Sequence, residues 1–272
     1  MSMSQATRIE VRRLDGRLTC TFLGGHLSAR RVGAPEGRVR VALVGTVALL
    51  LAGDAVRIEV VVGRGVDLEI VEVAGTVAYD MRGGSAEWQV DVHVEDGGVL
   101  VWEGLPFVIA DGADVTRTMT VVLDGSACAV LRETYVFGRT GEAGGDLRTS
   151  TVIAHDDRPL LVEQLDLRAG ARIDGAILGT ARCFDAVTSL GARIETARPG
   201  LLQLESAGSI DRRLAESLHT TGLSQTFRDA TAVIRRRNMA SSASSSQSEP
   251  TGLSVLQTRS STHRPSRRLP AE

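Results

Sequence analysis

The residues best placed to do chemistry are the acids Glu133, Glu142 and Glu163, with Arg139 between the first two. Two carboxyls about 5 to 10 Å apart on a β scaffold are what glycoside hydrolysis needs. Sugar sites, however, usually offer aromatic platforms, and the two tryptophans, Trp88 and Trp102, lie inside apolar runs. A glycosidase is therefore the reading ranked last. Acyl transfer through serine fares no better, because there is no Gly-x-Ser-x-Gly elbow and Ser126 sits in a small-residue turn without a histidine companion. We assign no catalytic residue.

Metal ligation would need clustered ligands. His26, His93, His155, His219 and His263 are scattered and no CxxC or HxxxH pair exists, which argues against a structural zinc site. A transient nickel contact through carboxylates and one histidine would leave no spacing signature, so no metal ligand is assigned. Cys20, Cys128 and Cys183 are odd in number and far apart, as expected of reduced core thiols in a cytosolic protein. All 31 basic residues are arginine. Without lysine there is no P-loop, no kinase strand lysine and no pyridoxal Schiff base. Gly63-Arg-Gly65 lacks the third glycine and following helix of a dinucleotide fingerprint.

The elements that must position these residues are strands. From Leu18 to Glu205 short alternating apolar runs are separated by glycine or aspartate turns. Val56–Val62, Val66–Val73, Trp88–Val94, Val99–Trp102, Thr118–Leu123 and Ala127–Phe137 form the series. Gly65, Gly97 and Gly125 mark recurring strand-turn-strand units, and His155 to Pro159 forms a fourth turn. This predicts a mainly β fold of stacked, hairpin or β-helix-like layers. Leu223, Phe227, Ala230 and Ile234 fall on one helical face, so a helix is predicted from about Ser224 to Arg237, with Arg235 to Arg237 complementing its C-terminus. We read 1–238 as one β-rich domain and 239–272 as a disordered tail rich in serine and arginine.

A net charge of -2 without a basic cluster in the body argues against a nucleic-acid partner. The longest uncharged apolar run, between Arg40 and Asp54, is shorter than the roughly 20 residues of a spanning helix, which argues against a membrane. No secretory leader is visible, and we expect the cytosol.

Glu133, Gly138, Arg139, Gly141 and Glu142 together resemble the central motif of the urease accessory protein D family, also called H. The flanks are similar to the family too: Leu49 to Glu59 to its Gly-Gly-Asp segment, Gly75 to Tyr79 to its Ala-Thr-Lys-x-Tyr stretch. Trp102 to Phe107 and Asp157 to Glu163 extend the likeness, which covers roughly Gly45 to Leu167 and continues more weakly to about Arg237. Ala78 stands where the family has lysine, Phe107-Val108 where it has an acid, and the usual Pro-Arg-x-Trp ending is absent. The resemblance implies a largely β, non-catalytic urease maturation factor. It implies binding to the urease apoprotein and to accessory protein F, through which the GTPase accessory protein G delivers nickel.

Two roles follow for the acids and the turn. Gly138 to Glu142 would be a partner-binding or structural turn, in which a buried Arg139 must pair, because an orphaned buried ion costs about 3 to 5 kcal/mol. Asp54, Glu133 and Glu163, beside apolar strands, would line a passage for transient nickel, with no tightly bound cofactor. For Asp54, after Gly53, hydrogen bonding of turn amides is the competing reading. An interaction module without a metal route is the alternative function.

Overall fold

The computed structural model describes residues 5–195 and 199–246. In chain order the strands are β1 (Thr7–Leu14), β2 (Arg17–Leu23), β3 (Leu27–Val32), β4 (Arg38–Gly45), β5 (Ala55–Val62) and β6 (Asp67–Glu72). Then come β7 (Thr76–Ala78), β8 (Ala86–Val94), β9 (Val99–Glu103), β10 (Phe107–Ile109), β11 (Asp114–Leu123) and β12 (Cys128–Phe137). β13 (Asp146–His155), β14 (Arg158–Asp166), the short α1 (Ala169–Arg172), β15 (Cys183–Leu190), β16 (Leu201–Gln203), β17 (Gly208–Ala215) and α2 (Leu223–Ser246) complete the chain.

The fold is mainly β and layered, as the spacing predicts. Sheet one runs β14-β13-β11-β8-β5-β1-β2 and sheet two β16-β17-β15-β12-β9-β6-β4-β3, with β10 and β7 attached beside β12. The strands flanking Gly65, Gly97 and Gly125 are not hairpin partners. Each turn instead crosses from sheet one to sheet two, and successive strands pair in parallel with their equivalents one layer away. Crossing is favoured because both sheets carry one apolar face, and only facing sheets bury both. At the ends the direction reverses: β1 with β2, β13 with β14, β3 with β4 and β12 with β15 are antiparallel.

Alternation becomes columns. On sheet one Val62, Val94 and Leu123 share a row, as do Val60, Val92 and Val121, then Ile58, Val90 and Met119. On sheet two the facing rows are Leu68, Leu100 and Ala129, then Ile70, Trp102 and Leu131. All of these are buried, each large side chain contributing about 1.5–3 kcal/mol. The turns stack as well: Gly65 N–H donates to Asp96 O, Ser126 N–H to the Asp96 carboxylate and Gly125 N–H to that of Asp156. The fourth turn uses Asp156 and Asp157, at φ +46° and +62°, in place of glycine.

α2 covers the outer face of sheet two. Leu223, Phe227, Ala230 and Ile234 are buried there against Val99, Val101, Val130 and Val187, as the periodicity predicts. The helix continues past Arg237 into the serine-rich stretch, since propagation adds one bond per residue once a helix is nucleated. Arg235 therefore sits in mid-helix, where it binds Asp67 and Glu69 instead of a helix terminus. The rest of the expected tail, 247–272, lies outside the described residues. Among the described residues no helix is long and apolar enough to cross a membrane. Cys128 and Cys183 are buried free thiols, pushed up in pKa by burial, and Cys20 is partly buried.

Candidate functional site

The turn after β12 is built by its glycines and held by arginines. Gly138 has φ +75°, and a Cβ there would lie 2.6 Å from Glu142 O. Gly141, at φ +84°, has open space around it, so its requirement is conformational only. Within the turn Arg139 donates from Nε to Glu142 Oε1 at 2.8 Å and from its backbone N–H to Oε2 at 2.9 Å. The Arg139 guanidinium and the two backbone donors, Arg139 and Asp111, hold the Glu142 carboxyl down to a pKa of about 2. Arg139 is 56% exposed, so this pair is a surface pair rather than a buried one.

Two arginines that sequence reasoning passes over carry the turn from behind. Arg182 spans the carbonyls of Phe137, Arg139 and Glu142, at 2.9, 3.1 and 2.7 Å. Arg172, 7% exposed, donates to Gly145 O at 2.6 Å, Gly144 O at 2.6 Å, Ala143 O at 2.8 Å and Leu167 O at 3.3 Å. Its guanidinium also lies 4.6 Å from the Phe137 ring, and burial pulls its pKa down. Neither arginine belongs to a periodic run, so no pattern announces them.

Glu133 belongs to a different place. It follows Leu131 on the inward face of β12, and Glu72 follows Ile70 in the matching row of β6. Facing them from sheet one is Arg117, beside Trp88 in the row after Met119. Arg117 donates to Glu133 Oε1 at 3.0 Å and packs 5.3 to 5.8 Å from the rings of Phe107, Tyr135 and Trp88. Tyr135 Oη donates to the same Glu133 oxygen at 3.0 Å, and burial pushes the phenol pKa far up. Glu72 accepts from Trp102 Nε1 at 3.1 Å and Leu105 N–H at 2.9 Å. Burial raises the Glu72 pKa against those two bonds and the Arg117 charge. Trp88 Nε1 and Arg117 Nε are buried without a hydrogen-bond partner.

This charged row closes a chain of three cavities. The first, about 300 Å³, lies among β4, β7 and the preceding loop, with Tyr79 and Val47 on its wall and Glu72, Thr76 and Trp88 shared with the second. The second is a neck of about 20 Å³ around Arg117 and Glu133, room for one water. It shares Gly104, Leu105, Arg132 and Thr134 with the third, about 500 Å³, which reaches Glu103, His219 and Ser224 at the start of α2.

The three acids expected to line one passage are not brought together. Asp54 Oδ2 accepts the Leu51 N–H at 2.8 Å, the turn-amide reading. Glu163 on β14 is held by Arg212 through both oxygens at 2.9 Å. Only Glu133 reaches the cavities, where its companions are Glu72 and Glu103. Among the described residues no three His, Cys, Asp or Glu side chains converge as a metal cage.

The family model for the UreD urease accessory protein matches residues 6–262. The chain is 47% identical over 171 residues to urease accessory protein UreD 1 of Streptomyces griseus, across 62% of this chain and 67% of that one. It is 36% identical over 162 residues to UreD 3 of the same organism, across 58% of this chain and 63% of the relative. Against UreD 2 of Saccharopolyspora erythraea the identity is 31% over 180 residues, covering 64% and 63%. These matches span about two thirds of each relative.

Proposed function

The chain belongs to the UreD urease accessory protein family, and we propose that it is a non-catalytic urease maturation factor that passes nickel, as cargo, towards the urease apoprotein. In this reading it works in the cytosol, binds urease and accessory protein F, and receives nickel from the GTPase accessory protein G through F. The observation that supports a metal route is the row of three cavities with carboxylates at its narrowest point. Carboxylate oxygens suit a divalent ion held briefly, and Glu72, Glu133 and Glu103 are spaced along the row rather than gathered into a trap. Arg117 keeps the Glu133 charge compensated while the neck is empty. A cation entering the neck takes Glu133 from Arg117 and expels any proton on Glu72.

The test is co-expression with the urease structural and accessory proteins, reading nickel per urease and urease activity for Glu72→Gln/Glu133→Gln. Nickel content and activity should fall together while co-purification with urease and protein F is retained. The second reading, a docking module without a metal route, is favoured by Arg117 filling a neck one water wide. Full nickel loading by the double variant would establish that reading and remove the passage. Loss of co-purification by Arg139→Ala, with an unchanged melting temperature, would place the turn in the partner interface.

A further inference from the structure

α2 does not lie flat on sheet two. Between it and β4, β6 and β9 runs a groove of about 550 Å³, which shares only Glu103 with the third cavity and no residue with the neck. Its walls carry Arg38, Arg40, Arg228, Arg235 and Arg236 against Glu69 and Glu103. Three of the arginines share two acids, Asp67 and Glu69. Arg235 takes Asp67 and Glu69, Arg38 lies 3.4 Å from Asp67, and an Arg40 terminal nitrogen lies 2.8 Å from Glu69 Oε1. Arg228 and Arg236 are exposed, with no ion pair to an acid among the described residues. Both residues line the groove, Arg228 with its guanidinium on Gln225 Oε1 at 2.8 Å.

Two further observations point to an occupant. Arg40 Nε and Thr231 Oγ1 are buried polar atoms with no hydrogen-bond partner, and both residues line the groove. Such orphans cost free energy unless something fills the space beside them. The wall is also partly apolar: Val101 and Phe227 are buried in its floor and Met239 stands 72% exposed at its rim. Polar orphans, spare positive charge and an apolar floor describe a seat for an acidic peptide segment that carries an apolar side chain.

The chain's own continuation is the wrong sign to fill it. Residues 247–272 carry Arg259, Arg264, Arg267 and Arg268 against Glu249 and Glu272, so like charges would meet. We therefore propose that the groove between α2 and sheet two is a docking site for an acidic, apolar-anchored segment of a partner protein. Arg228 and Arg236 provide the attraction. The proposal does not depend on the passage, because none of these residues borders the neck.

The experiment uses the full chain and a fluorescein-labelled oligoglutamate peptide with a central leucine pair, followed by anisotropy. Binding should be saturable and weaken as salt shortens the Debye length from about 10 Å at 0.1 M to about 3 Å at 1 M. Arg228→Glu/Arg236→Glu should bind about tenfold more weakly, two exposed charges being reversed. Arg30→Glu/Arg31→Glu, an equal charge change on exposed β3, should bind as the parent does. Both pairs are on the surface, so melting temperatures report whether folding is intact. Equal losses in the two double variants would overturn the proposal, since net charge alone would then explain binding. So would parent-like binding by Arg228→Glu/Arg236→Glu. Tighter, groove-dependent binding of single-stranded RNA of equal length would also overturn it. A rise in peptide affinity when 247–272 is deleted would name the tail as occupant and overturn it too.

Discussion

Replacing Arg172 by alanine isolates what holds the glycine-rich turn. Its guanidinium donates to the carbonyls of Ala143, Gly144, Gly145 and Leu167, and no acid among the described residues pairs with it. Hydrogen bonds from a charged donor contribute about 1.5–3 kcal/mol each when measured singly. Stripping water from an unpaired cation opposes them, and the lowered pKa is the sign of that opposition. Taking the four bonds and the Phe137 ring against desolvation leaves a net of about 3 kcal/mol, the scale seen when a buried ion contact is broken. In a chain of this size that is about 6–12 °C of melting temperature. Thermal unfolding by circular dichroism gives the shift, and hydrogen exchange across 138–145 shows whether the loss begins at the turn. Arg139→Ala serves as comparator: its side chain is 56% exposed and reaches only Glu142, so its melting temperature should stay much nearer the parent. Arg172→Lys keeps the charge without the planar fork and should fall between. A parent-like melting temperature for Arg172→Ala, or a larger shift for Arg139→Ala, would refute the reasoning.

Gly125→Ala should cost more than Gly65→Ala. Both need positive φ, but a Cβ on Gly125 lies 2.5 Å from Asp96 Oδ1 while one on Gly65 meets nothing within 4 Å. About 3 against about 1 kcal/mol is expected by chemical denaturation, and equal costs would show that the turns do not stack. The Glu142 pair should be pH-dependent in one direction. Its folded pKa of about 2 lies below the ordinary 4.5, so its contribution is complete above 4.5 and disappears as pH falls towards 2. The stability gap between parent and Glu142→Gln should close over that window and narrow in high salt; a constant gap would contradict the pairing.

The layers were legible because period-2 alternation and turn glycines recur together, and six of the runs read from sequence coincide with β5, β6, β8, β9, β11 and β12 to within a few residues. What alternation leaves open is which strands pair, since a turn that closes a hairpin and one that crosses between sheets use the same residues. The neck was half legible. Glu133 stands among Leu131, Tyr135 and Phe137, and Arg117 falls in step with Val115, Met119 and Val121, so each is a charge on an apolar face. Their meeting depends on two sheets facing each other, which local pattern does not encode. Glu72 ends its strand, Arg172 ends the single turn of α1 and Arg182 lies between elements, so none has a periodic run around it to make a charge conspicuous. Asp54 and Glu163 both stand beside apolar strands, which marks them in the sequence, but a turn amide and Arg212 satisfy them locally.

The reversal of strand direction at the ends of the stack bears on how the protein behaves at high concentration. A pile of parallel coils is its own template, because the last layer offers a second molecule the same register it offers its neighbour. Here that offer is withdrawn: β2 and β14 end sheet one antiparallel to the layers beneath, and β3 ends sheet two likewise. End-to-end polymerisation would have to begin on a strand running the wrong way, so the chain can carry a repetitive interior without growing into fibres.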